Sequence, residues 1–318
     1  MRTFNYACAD LKGTALIETE NLTKRFGGIT AVEGLTLRVE EGEVFGLLGP
    51  NGAGKTTTMR MLSCLISKTS GEARVDGYEI GSADSINIRK IVGVLPESVG
   101  LFDDLSAYKN LDFYGRLYEC AEEQRRTRIE QFLTMLGLWE KKDIAVGTFS
   151  KGMKQKVALA RALIHDPKVI FLDEPTANLD PEASKTIRDF ILEMKREKRT
   201  VFLNTHNLDE AQRVCDRIGI MKTKLLAVGP LEEMKGSLWG RKTVVRLERV
   251  TDAIVAAVKR LGTGKVEVRD AELIIDVSDP DRENPTIVDA IVASGGRVRF
   301  VDDLSPTLED VYLRLVRN

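Results

Sequence analysis

A glycine-rich loop that ends in lysine and threonine is the strongest sign of chemistry in this chain. Glycines in such a loop let backbone N–H groups surround a phosphate, and the positive end of the helix that follows adds to the attraction. Lys55 can then reach the β- and γ-phosphate oxygens, and the Thr56 hydroxyl can bind Mg²⁺. The residues predicted to bind the nucleotide here are Gly49, Pro50, Asn51, Gly52, Ala53, Gly54, Lys55, Thr56 and Thr57.

Two carboxylates follow the apolar run 169–172, which has the composition of a strand buried on both faces. Because ligands of open parallel sheets bind at the carboxyl ends of the strands, Asp173 and Glu174 should lie near the glycine loop. We expect Asp173 to hold Mg²⁺ through its water shell. We expect Glu174 to accept a proton from the attacking water, so the pair predicts hydrolysis of the nucleotide.

The elements that position these residues alternate between short apolar runs and helical patterns, which favours a mostly parallel sheet covered by helices. The apolar runs are 43–48, 169–172, 200–203 and 218–221. Leu35, Leu37 and Val39 instead alternate with polar residues, and this period of two predicts a half-exposed, antiparallel strand. Aromatic and aliphatic residues at helical spacing predict a helical insert at about 98–160.

A different pattern begins after Gly229 and Pro230, so we expect a domain of residues 15–230 and an accessory domain of residues 241–318. The second domain has the order strand, helix, two strands, helix, strand, which predicts a small ferredoxin-like α+β module. Its last helix should begin with Ser305 as N-cap and Pro306 at the first helical position. Residues 1–14 are expected to form a short, loosely held extension.

The composition excludes several classes of protein. Among 318 residues, 47 are basic and 48 acidic, so no overall field would attract nucleic acid, and we expect no such partner. The beginning of the chain lacks the apolar stretch of a secretory signal, and no apolar run reaches the roughly 18 residues of a membrane span. The four cysteines lack metal-binding spacing, which favours a reduced, cytoplasmic protein.

The motifs around these two sites resemble the nucleotide-binding subunit of ABC transporters over roughly residues 15–228. Each motif is weak alone, but their order along the chain makes the match specific. The matching residues are Phe26, where an aromatic stacks on adenine; Glu97, at the Q-loop; Ser150, Lys151 and Gly152, in the signature; Asp180, in the D-loop; and His206, as the switch histidine.

The resemblance implies an α/β fold, a P-loop NTPase core with an antiparallel β subdomain and a helical insert. It also implies ATP and Mg²⁺, with Glu97 and His206 serving catalysis beside Glu174, and Glu97 also approaching the metal. In this family two chains sandwich two ATP molecules head to tail, so Ser150 and Gly152 should contact the γ-phosphate held by the opposite chain. The partner chain would be an identical copy or a paralogue.

The resemblance further implies a separate integral membrane subunit and a peripheral position on the cytoplasmic face of the membrane. Two motifs depart from the common pattern, the Q-loop and the signature, which reads Phe149-Ser-Lys-Gly-Met153 where LSGGQ is usual. Glu97 stands where glutamine is usual, which adds a negative charge near the γ-phosphate, and Lys151 in the signature supplies a compensating positive charge. These departures and the tail 305–314 are similar to the ABC-2 branch, whose ATPases serve exporters.

Other functions stay open at this point. The alternative is a soluble ABC-type ATPase that is not coupled to transport. A chromosome-associated ATPase would need a long coiled coil between Lys55 and Ser150, and that stretch is too short and lacks sustained heptads. A translation-type ATPase would carry two cassettes, whereas the chain has one. A small-molecule kinase would have no use for the signature or for Glu174 as a base.

Overall fold

The computed structural model describes residues 4–5, 14–234, 241–303 and 307–317. The chain forms two compact units, Met1–Pro230 and Leu231–Asn318, and each is described by itself. The helices with bounds inside the described residues are α1 Lys55–Leu62, α2 Ser85–Ile91, α3 Ala107–Leu117, α4 Glu122–Met135, α5 Lys151–Leu163, α6 Pro181–Arg196, α7 Leu208–Val214, α8 Asp252–Arg260, α9 Pro280–Ala293 and α10 Leu308–Arg317.

The strands are numbered in chain order across both units. They are β1 Phe4–Asn5, β2 Ala15–Phe26, β3 Ile29–Glu40, β4 Val44–Leu48, β5 Ser70–Val75, β6 Tyr78–Glu79, β7 Val92–Leu95, β8 Val169–Asp173, β9 Thr200–Thr205, β10 Arg217–Lys222, β11 Lys224–Gly229, β12 Arg241–Leu247, β13 Val266–Arg269, β14 Glu272–Val277 and β15 Val298–Asp303.

The large sheet of the first unit has the order β1-β11-β10-β4-β9-β8-β7 within the described residues. Its pairs are parallel except β10 with β11, as the alternation of strands and helices predicted. Every residue of β4, β8 and β9 is buried, because each of these central strands is covered on both faces. The carboxyl ends of β8 and β9 therefore lie side by side, which brings Asp173 next to Asn204 in register.

Alternate residues of the central strands face two separate apolar clusters. Ile170 and Leu172 pack in a cluster with the helical insert, whereas Val169 and Phe171 pack with the antiparallel strands and α1. Each large apolar side chain that is fully buried stabilises the folded state by about 1.5–3 kcal/mol relative to leaving it exposed to water. Both faces of the sheet are therefore packed, and this packing supports the residues at its carboxyl edge.

A second sheet of the first unit is antiparallel and has the order β3-β2-β5-β6. In β3 the side chains of Leu35, Leu37 and Val39 are buried and that of Thr36 is exposed, which confirms the predicted alternation. The helical insert contains α3, α4 and the start of α5. Ser106 caps α3 and Ser150 caps α5, each through its side-chain oxygen.

The second unit contains a four-stranded antiparallel sheet in the order β13-β14-β12-β15. With α8 after β12 and α9 before β15, this order is the ferredoxin-like topology that the sequence predicted. Helix α9 begins at Pro280, and Glu283 in its first turn accepts hydrogen bonds from the backbone N–H groups of Ser278 and Asp279. Ser305 and Pro306, the predicted start of the last helix, lie outside the described residues.

The amino-terminal extension differs from its prediction in one place. Phe4–Asn5 form a short parallel strand against Ala227 and Val228 of β11, a pairing that the sequence did not predict. The reason is that β11 is the last long strand of its sheet and offers unpaired backbone groups at that edge. Among the described residues, no helix is both long and apolar enough to cross a membrane.

Candidate functional site

An open cavity of about 680 Å³ lies at the carboxyl edge of the large sheet. It collects residues from the glycine loop, the turn after β8, the end of β9 and the antiparallel sheet. The residues that line it are Phe26, Ala31, Asn51, Gly52, Ala53, Gly54, Lys55, Thr56, Thr57, Glu97, Glu174, Ala177, Asn178 and His206.

The glycine loop leads from β4 directly into α1, as its sequence predicted. Gly54 is the N-cap of α1 at a φ of 101°, and a Cβ there would collide with the carbonyl oxygen of Ala31, so only glycine fits. As a glycine, the N-cap residue has no side chain that could cap the backbone N–H groups at this end of α1. These N–H groups and the positive end of the helix form a site suited to an anion.

Lys55 is 6% exposed, and its ammonium donates hydrogen bonds to the carbonyl oxygens of Gly49 (2.7 Å) and Pro50 (3.2 Å). Gly49 and Pro50 do not line the cavity; they hold the lysine that does. Burial lowers the pKa of Lys55, while Glu174, 3.7 Å from its Nζ, acts in the opposite direction and favours the charged form. The buried ammonium of Lys55 therefore lies at the wall of the cavity, where it can contact an anion.

Asp173 lies at the end of β8 and is 1% exposed. Its Oδ1 accepts hydrogen bonds from the Thr56 hydroxyl and from Nδ2 of Asn204, both at 3.1 Å. Burial raises the pKa of Asp173, and the nearby carboxylates of Glu174 and Glu97 add to that effect. The geometry thus joins two of the three residues that were predicted to lie at the metal, Thr56 and Asp173; the third, Glu97, lines the cavity.

Glu174 follows β8 in a left-handed conformation, at a φ of 49°, which non-glycine residues adopt rarely. Its backbone N–H donates to the carbonyl of Asn204 (2.9 Å), which fixes the turn against β9. One carboxylate oxygen then faces Lys55, and the other lies 2.8 Å from Nδ1 of His206. The imidazole is 56% exposed toward the cavity opening, whereas Glu174 is 13% exposed.

Besides Gly49 and Pro50, four other predicted nucleotide contacts do not line this cavity: Ser150, Lys151, Gly152 and Asp180. They lie together at a second place, where α5 and α6 begin. A Cβ on Gly152 would be 2.8 Å from Cβ of Ala183 and 3.6 Å from Oδ2 of Asp180. Asp180 caps α6 by accepting from Ala183 N, and Ser150 and Lys151 are exposed.

Four residues in or next to the cavity were not predicted as site residues: Ala31, Ala177, Asn178 and Asn204. Ala177 and Asn178 lie in the motif that ends at Asp180, but only Asp180 of that motif was named. Asn204 was missed, although an amide in the last positions of a fully buried strand is a signal that could have identified it. Its Oδ1 is buried without a hydrogen-bond partner among the described residues.

Hard oxygen donors suit Mg²⁺, and Thr56 and Asp173 supply a hydroxyl and a carboxylate 3.1 Å apart. Within the described ranges, no group of three or more His, Cys, Asp or Glu side chains could hold a metal ion. A magnesium ion that is bound together with phosphates needs only one or two protein ligands, so this donor set fits it.

Comparison with known proteins gives a consistent result. Residues 32–177 match the family model described as ABC transporter. The linearmycin resistance ATP-binding protein LnrL of Bacillus subtilis is 32% identical over 309 residues, which cover 94% of this chain and 98% of that protein. The Nod factor export ATP-binding protein I of Cupriavidus metallidurans is 34% identical over 307 residues, 95% and 97% of the two chains.

Solved structures agree with these relatives in fold. A dimeric structure of a post-hydrolysis state of an ATP-binding cassette, bound to ADP and Pi, has a TM-score of 0.62 and 28% sequence identity. The alignment covers 68% of the present chain and 98% of the cassette in that structure.

Proposed function

This chain belongs to the ABC transporter ATP-binding proteins, some of whose members serve exporters, and we propose that it hydrolyses MgATP at sites shared by two head-to-tail subunits. Membership of the family makes it an ATP-binding subunit and an ATPase. The observation that carries the proposal is the separation of Ser150 and Gly152 from the cavity that contains Lys55.

Ser150, Lys151 and Gly152, which do not line the cavity, have groups that could bind a phosphate from one side. Ser150 presents an exposed hydroxyl and Lys151 an exposed ammonium, both at the positive end of the 13-residue helix α5. The cavity supplies the groups on the other side. A second chain in the opposite orientation would bring its own Ser150, Lys151 and Gly152 to the γ-phosphate of this cavity, with Asp180 beside them. An identical copy or a paralogue would serve.

Within one cavity we assign each residue a role. Lys55 and the backbone N–H groups from Asn51 to Thr57 bind the phosphates, and Phe26, 49% exposed at the opening, stacks on the adenine. Glu174 takes the proton of the attacking water. His206 orients Glu174 through the 2.8 Å contact, and Glu97 orders the water or approaches the metal.

Mg²⁺ would be held by Thr56 and, through its water shell, by Asp173, with Glu97 near enough to the cavity to contribute. When bound, it would neutralise charge on the β- and γ-phosphate oxygens. Asn204 supports this arrangement by donating to the same oxygen of Asp173 that Thr56 contacts, which fixes the direction of the carboxylate.

The cellular role that we propose is export by a separate integral membrane protein, with this subunit on the cytoplasmic face of the membrane. The support comes from two relatives that align over nearly the whole chain, one named for linearmycin resistance and one for Nod factor export. No spanning helix occurs among the described residues, so the translocation path would belong to the partner.

The experiment that tests the shared site measures ATPase activity per mole of chain over a wide range of protein concentration. We expect specific activity to fall toward zero as the chains separate. Full activity in a strictly monomeric sample would disprove the shared site. Purification from the native membrane tests the cellular role: an integral membrane protein should copurify in stoichiometric amount, whereas recovery without one would favour a soluble ATPase.

A further inference from the structure

A buried carboxylate, that of Glu210, is hydrogen-bonded to residues close in the chain to Glu174 and His206 and has no part in the roles assigned above. Glu210 belongs to α7, is 1% exposed and does not line the cavity. A buried carboxylate is costly unless its oxygens are hydrogen-bonded. Its partners therefore show what it does.

Each oxygen of Glu210 accepts one hydrogen bond from a threonine hydroxyl. Thr176 donates to Oε1 and Thr205 donates to Oε2, both at 2.8 Å. The two hydroxyl-bearing residues are themselves buried, at 8% and 1% exposed. Thr176 follows Glu174 by two residues, and Thr205 directly precedes His206, so one carboxylate joins the two loops that carry the proposed base and its histidine.

The turn that carries His206 is closed by the same residues. The Thr205 hydroxyl also accepts from Asn207 N (3.0 Å), and the Asn207 side chain accepts from Glu210 N (3.1 Å). His206 lies between two residues that are tied to Glu210, so its backbone has little freedom to move away from Glu174.

We propose that Glu210 is a positioning residue that sets the distance between Glu174 and His206 by joining Thr176 to Thr205. This inference rests on the proposed function, because it takes Glu174 and His206 as the pair that acts on water. Glu210 touches neither nucleotide nor water in this scheme and acts only through the two loops.

The physical consequence is a loss of rate with little loss of binding. Displacement of a reacting group by about 1 Å can cost about 10²-fold in rate. Within the described part of the chain, the hydrogen bonds of Glu210 go to Thr176, Thr205 and Asn207 and not to Lys55 or Phe26, which we assign to binding. For Glu210→Ala we expect kcat to fall by about 10- to 100-fold and KM for ATP to change by less than about twofold.

A matched pair at Thr176 tests the same link without removing the carboxylate. Thr176→Val keeps the shape and loses the hydroxyl, so kcat should fall, whereas Thr176→Ser keeps the hydroxyl and should retain most of the activity. Glu43→Gln is the control for loss of a buried carboxylate elsewhere: Glu43 is 8% exposed and pairs with Arg217, and this variant should keep the kcat of the unmodified protein.

A double-mutant cycle separates positioning from a merely structural role. Hydrolysis is measured in single turnover for Glu210→Ala, His206→Ala and the double variant, all in the full chain. If Glu210 acts by placing the histidine, its removal should slow hydrolysis much less once His206 is already alanine. An undiminished effect in the His206→Ala background would overturn the proposal, as would equal kcat in Thr176→Val and Thr176→Ser.

The outcome also distinguishes this inference from the proposed function. If Glu174→Gln and His206→Ala hydrolyse ATP at the normal rate, the assigned roles are wrong. If both lose activity while Thr176→Val is normal, only the positioning role of Glu210 is wrong.

Discussion

Oε2 of Glu174 and Nδ1 of His206 lie 2.8 Å apart, although 32 positions separate the two residues in the chain. The left-handed backbone of Glu174 and the end of β9 create this contact. The carboxylate is thereby held between an imidazole on one side and the ammonium of Lys55 on the other.

Replacement of Glu174 by glutamine removes the proposed base and preserves its shape. Because a positioned base contributes roughly 10²–10⁴ in rate, kcat for ATP should fall by that factor while ATP still binds. The variant should accumulate as an ATP-bound dimer in size-exclusion chromatography. Glu123→Gln, an exposed position on α4, is the control and should keep normal turnover. Near-normal turnover in Glu174→Gln would reject the assignment.

Replacement of Lys55 by alanine should weaken ATP binding by about 10- to 100-fold, because hydrogen bonds to charged groups contribute about 1.5–3 kcal/mol. Calorimetric titration with MgATP measures the loss. Lys68→Ala is the control, since Lys68 pairs with Glu79 and does not line the cavity. Unchanged affinity in Lys55→Ala would contradict the proposed phosphate contact.

Replacement of Asp173 by asparagine tests the magnesium site. Because Asp173 is proposed to act on the ion through water, we expect the Mg²⁺ concentration for half-maximal ATPase activity to rise by about 10- to 100-fold. ATP affinity measured with EDTA present should stay the same, which serves as the control. An unshifted Mg²⁺ dependence would show that the ion binds elsewhere.

His165 predicts a dependence of stability on pH. Burial lowers its pKa from 6.5 to about 4, and its Nε2 lies 3.0 Å from the carbonyl oxygen of Val92. Between pH 6.5 and about 4, His165 therefore binds a proton in the unfolded chain but not in the folded chain. Stability from this group is complete above pH 6.5 and is lost as the pH falls toward 4, by about 2 kcal/mol at pH 4.5.

Urea unfolding at pH 7 and pH 4.5 measures this loss by comparison with His165→Asn. The buried carboxyls of Glu43 and Glu210 have raised pKa values and contribute in the opposite direction, so the difference between the two proteins is the relevant quantity. The variant should lose about 2 kcal/mol less than the unmodified protein. Equal losses would show that His165 is not responsible.

Gly93 marks a close approach between β7 and α5. A Cβ there would collide with the carbonyl oxygen of Ala162 and lie 2.9 Å from Cγ of Pro167. Gly93→Ala should therefore lower the free energy of unfolding by about 1–3 kcal/mol, as overpacking does in cores. Gly28→Ala, where a Cβ would meet nothing within 4 Å, should be nearly neutral. Chemical denaturation of both variants checks the difference.

The sequence predicted the parts of this protein that depend on neighbours along the chain. The glycine loop, the buried strands and the ferredoxin-like order are local patterns of residue type and period, and the structure has each of them. The carboxylates of Asp173 and Glu174 were predictable because they end an unbroken apolar run.

What the sequence did not predict are contacts between distant segments. Asn204 on β9 reaches Asp173 on the neighbouring strand β8, and Thr176 reaches Glu210 across 34 positions. A period of two or of 3.6 residues carries no information about such pairs. The one available signal was the spacing of Glu210 from Ala211 and Val214, which places the glutamate on the apolar face of α7, where a charged side chain would need a buried partner.

The hydrogen bonds from Lys55 to Gly49 and Pro50 have a consequence for how nucleotide is captured. Because carbonyl oxygens of the loop already accept hydrogen bonds from Lys55, the loop is preorganised. It therefore loses little conformational entropy when phosphate binds. Most of the conformational entropy lost in completing the site would then be lost when the proposed second chain binds. Capture of nucleotide should accordingly be fast, and assembly should be the slower, more selective event.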